Sequence, residues 1–167
     1  LSRAYQSGAA RHLPQAKLCF DRFHLIKLAN AAVDAVRRSE VKTEPDLRGT
    51  RWATLKDARD WTVPQINDMH WLQRSRLKTA RAWRLKEALR DIVEQAARVP
   101  EQAQTMVTGW ISWARRSRLE PFKRLGATLK THLAGIVQSF TLGLSNGTAE
   151  SINAQVAAAI VRARGFR

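Results

Sequence analysis

The chain has 167 residues, the size of one ordinary domain, and carries 29 Lys and Arg against 14 Asp and Glu, a formal net charge of +15. Its 44% apolar share and six Trp are enough for a packed core and exclude wholesale disorder. No run nears the roughly 18 apolar residues of a membrane span, no signal-peptide pattern is present, and one cysteine, Cys19, excludes a disulfide framework; the expectation is an intracellular domain with a polyanionic partner.

In chain order, Ser2 can cap a short helix from about Arg3 to His12, closed by Pro14. Ala16, Leu18 and Phe20 then alternate with Lys17 and Cys19, the period of a short strand that ends at Asp21. From Arg22 the period becomes helical, with Leu25, Leu28, Ala29, Ala32 and Val36 on one face running to about Ser39. Residues 40–62 read as a connector held down by Trp52 and Trp61. Thr62, Pro64 and Gln65 make a helix start with a capping box.

A long basic helix is expected from about Gln73 to Ala97, with Ala80, Leu85 and Leu89 inward and Arg81, Arg84 and Lys86 among the cations on its outside. Pro100 starts another helix, with Val107, Trp110, Trp113 and Ala114 facing inward. After a basic turn (Arg115, Arg116, Arg118), Pro121 opens a helix using Phe122, Leu125, Leu129, Leu133, Ile136 and Val137. Gly143, Asn146 and Gly147 mark a loop, from which a last helix runs to about Ala163.

Two acids stand out by position. Asp21 lies where a strand pattern gives way to a helix, the place where alternating α/β sheets present functional side chains. Glu150 is the one acid between Pro121 and Arg167, a stretch with six Lys or Arg. On local sequence alone each has a plain alternative: an Asp there is an N-cap, and a Glu in a first helical turn complements the helix dipole.

The segment Cys19-Phe20-Asp21-Arg22-Phe23-His24-Leu25-Ile26-Lys27-Leu28 resembles the "DRFH" segment of the ISL-three family of insertion-sequence transposases. Leu144-Ser145-Asn146-Gly147-Thr148-Ala149-Glu150-Ser151-Ile152-Asn153 is similar to that family's second block, and Arg162-Ala163-Arg164-Gly165-Phe166 resembles its basic ending before Gly-Phe. Gly49-Thr50-Arg51-Trp52 resembles its "GTRW" element. The two main blocks stand in the family's order, 129 positions apart.

The resemblance implies a DDE transposase, mainly α over this chain: part of an α/β ribonuclease-H-like core over residues 1–40, a large helical insertion over 41–140, and a closing catalytic helix over 141–167. Asp21 would be the second Asp of the triad and Glu150 its closing Glu, both holding metal. The first Asp is expected just before Leu1, so the chain reads as a fragment inactive alone. The implied cofactors are two Mg²⁺ (or Mn²⁺) ions, which balance charge on the attacking and leaving oxygens of a phosphodiester. The implied partner is DNA, as transposon ends and target, first nicked by water and then joined through the freed 3′-hydroxyl. Candidate DNA contacts are Arg22, His24, Lys27, Asn153, Arg162, Arg164 and Arg167. A homo-oligomer in the complete enzyme, a cytoplasmic, nucleoid-associated location and no membrane contact complete the expectation. The competing reading is a non-catalytic basic helical nucleic-acid-binding protein, which gives Asp21 and Glu150 no reason to sit in their blocks. The lone tyrosine, Tyr5, has no upstream His-x-x-Arg partner, which argues against a tyrosine recombinase.

Overall fold

The change of period at Asp21 is a helix start in three dimensions. In the computed structural model, which describes residues 3–15, 19–143, 154–155, 157–159 and 161–162, Asp21 caps a 19-residue helix, Arg22–Glu40. The helices in order are α1 (Arg3–His12), α2 (Arg22–Glu40), α3 (Arg51–Leu55), α4 (Val63–Arg74), α5 (Lys78–Arg98), α6 (Ala103–Arg116), α7 (Glu120–Thr131) and α8 (Leu133–Thr141). The architecture is mainly α, as expected, and no strand occurs among the described residues.

The strand expected over Ala16–Phe20 is therefore not observed as such. Residues 16–18 lie outside the described residues, and Cys19 and Phe20 carry no regular structure. The Phe20 amide donates instead to the carbonyl of Gly135 in α8, at 3.2 Å. For Phe20, at least, the backbone donor is satisfied by a helix and not by a neighbouring strand.

The main core is built where helical stripes meet. Leu25, Ala29, Val33 and Val36 of α2 pack with Leu85 and Leu89 of α5, Val107, Trp110 and Ala114 of α6, Phe122 and Leu129 of α7, and Ile136 and Phe140 of α8. Trp110 is buried whole, its ring 6.3 Å from that of Phe122, and its Nε1 donates to the Leu85 carbonyl at 2.8 Å, so the indole satisfies its one donor. α6 and α7 approach closely at Gly126, where an added Cβ would lie 3.1 Å from Arg115 Cγ. A second core of Leu47, Ala53, Met69, Leu72 and Ala80 closes around the connector, with Trp61 and Trp83 on its edge. α5 serves both cores: Ala80 belongs to the second and Leu85 to the main one.

The connector is folded rather than loose. Gly49 takes the left-handed φ of +85° that lets the chain turn into α3. Thr50 is buried and its hydroxyl donates to the Leu47 carbonyl at 2.8 Å. Arg51 reaches the buried Asp34 of α2 at 3.6 Å and lies over the Trp52 ring, 5.1 Å from its centroid. Asp34 also holds Arg37 at 2.8 Å and Arg38 at 3.0 Å, so three guanidiniums balance one buried carboxylate. The "GTRW" residues thus tie the connector to α2. Trp61 packs down as expected, its Nε1 donating to the Ala53 carbonyl at 2.8 Å, whereas Trp52 is exposed.

Two expected helices are broken. Ser75–Leu77 separate α4 from α5, and the α5 N-terminus, which has no capping side chain of its own, is capped from outside by Glu40 at the end of α2. This contact sets α2 and α5 antiparallel. The helix expected through Val137 divides at His132, whose ring packs on Phe20 at 4.8 Å. The segment leading to Asp21 docks at that joint.

Candidate active site

Asp21 is exposed at the head of α2, with φ −59° and ψ +123°. Its Oδ1 accepts the Phe23 amide at 2.8 Å, satisfying one of the donors that a helix start leaves without a partner. The N-cap reading of this residue is therefore real. It does not use the whole carboxylate, because Oδ2 accepts no hydrogen bond from a described residue. The capping bond fixes Oδ1 against the helix start and leaves Oδ2 without a hydrogen-bond donor among the described residues.

Its surroundings come from two directions. Upstream, Phe20 is fixed by the Gly135 carbonyl and the His132 ring. Downstream, Arg22 lays its guanidinium over the Phe140 ring, 5.6 Å from the centroid, so part of its role is to fasten the head of α2 to α8. Asp21 is thereby anchored on both sides to α8, by Phe20 at its start and by Arg22 near its end, more than a hundred positions away in sequence.

The candidate contacts divide. His24 is half-buried and Lys27 exposed, one turn further along α2. Arg162 is exposed on a helical stretch. Glu150, Asn153, Arg164 and Arg167 lie outside the described residues, so the approach of Glu150 to Asp21 is not among the described geometry. Among the described residues, no group of three or more His, Cys, Asp or Glu comes together as a metal cluster. No helix there is long and apolar enough to cross a membrane.

Three residues have places that periodicity did not indicate. Lys86, expected outside, is fully buried in α5. Trp113, expected inward, is 45% exposed. Arg118 holds a left-handed backbone. A cation within an apolar stripe was the available signal for the first, and the density of arginine around 115–118 for the last; the exposure of Trp113 had none.

The sequence model of the ISL3 family of DDE transposases, described as transposase, matches residues 1–167, and the chain belongs to that family. Two curated relatives, each named as the transposase for insertion sequence element IS1557 of Mycobacterium tuberculosis, from strains CDC 1551 / Oshkosh and ATCC 25618 / H37Rv, are 31% identical over 182 aligned positions. The match covers 92% of this chain and 40% of each relative, so the chain spans well under half of their length. No solved structure matches it.

Proposed function

We propose that this chain forms part of the catalytic domain of an insertion-sequence transposase that cleaves and joins DNA, with Asp21 and Glu150 as two of its three metal-holding carboxylates. The supporting observation is Asp21 itself: in a chain matched by the transposase family along its whole length, it stands exposed at a helix head, one oxygen fixed and the other open. An open carboxylate oxygen is the donor that Mg²⁺ or Mn²⁺ takes, alongside water and phosphate. Asp21 fits as one ligand, and Glu150 would be the second from this chain. When bound, two such ions stabilise negative charge on the attacking and leaving oxygens of a phosphodiester. The chain's own residues hold the carboxylate at the head of α2 against α8, with Lys27 exposed further along the same helix, where it would draw in phosphate. His24 and Lys27 would contact DNA beside Asp21; Asn153, Arg162, Arg164 and Arg167 would do so beside Glu150. The ribonuclease-H-like core, the helical insertion over 41–140 and a homo-oligomeric complete enzyme belong to the same reading.

The test is strand cleavage by the complete transposase with Mg²⁺ or Mn²⁺. Asp21→Asn and Glu150→Gln should each abolish it, and retained cleavage in either would refute that residue's role. The 167-residue chain by itself should bind DNA, with strong salt dependence, without cutting it.

A further inference from the structure

At the end of the helical body opposite Asp21, two open clefts of about 380 and 590 Å³ meet at Arg116. The smaller lies between the first turns of α5 and the end of α6, lined by Arg81, Arg84, Trp113, Arg116 and Arg118 and, among the described residues, by no acid. The larger continues between α6 and α7, past Arg115, Lys123 and Arg124, with Glu120 as its one acid among the described residues. Glu120 is already engaged by Lys123 at 3.1 Å and Arg124 at 3.4 Å. Arg81, Arg115 and Arg118 have no carboxylate partner among the described residues. Two of the arginines are pre-oriented: Arg84 donates to the Gln73 carbonyl at 2.5 Å and Arg116 to the Ser112 hydroxyl at 2.6 Å. Beside them, Trp113 leaves 45% of its surface open.

A second, independent observation lies in the backbone. Arg118 has φ +60°, two residues beyond the last residue of α6. That is the left-handed position following a helix, where glycine is the favoured residue because a Cβ is crowded there. The corresponding position after α8 is filled by Gly143, also at +60°. α6 thus keeps an arginine where the same chain elsewhere uses glycine, and the strained residue is the one whose side chain lines the cleft.

From this we infer that the clefts meeting at Arg116 form a second DNA-backbone contact surface, remote from Asp21, with Arg81, Arg84, Arg116 and Arg118 on phosphates and Trp113 against the sugar or base face; the inference rests on the reading of the chain as a DNA-acting transposase. A closely spaced row of guanidiniums with an aromatic edge is the chemistry that follows a phosphodiester backbone. Because α2 and α5 run antiparallel, most of the length of α2 separates Arg81 from Asp21. That is roughly 20–25 Å, on the order of six or seven base pairs of duplex. The surface would hold DNA flanking the reacting phosphate.

The experiment is fluorescence anisotropy of the 167-residue chain with a labelled random-sequence 30-base-pair duplex over a series of NaCl concentrations. Arg81→Gln/Arg84→Gln/Arg116→Gln should reduce the slope of log affinity against log salt by about 2–3 and weaken binding by about tenfold or more. The equal charge change Lys42→Gln/Arg48→Gln/Lys56→Gln, on exposed residues elsewhere, should leave the slope nearly unchanged. Arg118→Gly should weaken binding several-fold while raising the thermal unfolding midpoint by about 2–4 °C, a combination that damage to the fold cannot produce. An unaltered slope in the first triple variant, or an equal loss in the second, overturns the surface while leaving the DNA reading intact. Full binding by Arg118→Gly removes Arg118 from it. Absence of DNA binding by the unaltered chain overturns the DNA reading, and this surface with it.

Discussion

The ammonium of Lys86, buried within α5, donates a 2.8 Å hydrogen bond to the carbonyl oxygen of Thr54 near the end of α3. It also lies 3.5 Å from the Lys56 carbonyl and pairs with Glu87. A helix C-terminus presents carbonyls without intrahelical donors and a partial negative charge, so one buried cation serves both needs and pins the connector to α5. Truncation by Lys86→Ala leaves a void and unpaired carbonyls together, and should cost about 2–4 kcal/mol in urea unfolding. Lys86→Met fills the space and should cost less, about 1–3 kcal/mol for the Thr54 carbonyl alone. Equal losses in the two variants would show that volume plays no part.

Lys86 also makes stability depend on pH. Burial lowers its pKa from the ordinary 10.5, outweighing the opposing pull of Glu87. The unfolded chain therefore binds this proton more tightly than the folded one, and stability rises with pH in the window below 10.5. Lys86→Met has no such term. The stability difference between the unaltered chain and Lys86→Met should shift in favour of the unaltered chain as pH rises toward that value, in parallel denaturant titrations. A flat difference would contradict the burial account.

Glu40 caps α5 from the end of α2, its Oε1 taking the Lys78 amide and its Oε2 the Thr79 amide, both at 2.7 Å. Both oxygens act as acceptors, and the Thr79 hydroxyl adds a third donor at 2.8 Å. Glu40→Gln places an NH₂ against a backbone N–H in either orientation and should cost about 1–3 kcal/mol in chemical denaturation. An unchanged midpoint would mean that the cap contributes nothing to docking α2 on α5.

Asp21 has two duties that substitution separates. Asparagine caps a helix as well as aspartate does, so Asp21→Asn should melt within about 0.5 kcal/mol of the unaltered chain, whereas Asp21→Ala should lose about 1 kcal/mol. Strand cleavage by the complete transposase should be lost in both. A variant series in which activity follows stability would assign Asp21 to capping alone.

Helix starts and apolar stripes are local properties, and they were readable from the residues. α1 and α2 begin where Ser2, Asp21 and Arg22 indicate, the capping-box contact of Gln65 on the Thr62 amide forms at 3.1 Å, and Trp110 and Phe122 are interior. Asp21 was legible as a candidate because a change of hydrophobic period marks a point on the chain, whatever surrounds it. Other features depended on what a residue meets from elsewhere. Lys86 is buried because the carbonyl end of α3 arrives over it, 32 positions away in sequence. The break at His132 accompanies the docking of Phe20, and Trp113 falls at the edge of the α6 stripe, where α5 leaves an open cleft. The left-handed backbone of Arg118 lies in the turn between α6 and α7, two helices that pack closely at Gly126. Charge and composition by themselves determined a strong excess of cations, +15 over the chain, and with it the expectation of a polyanionic partner. Tertiary structure decided which cations face the solvent together, because a shared surface is made by helices that are distant in sequence.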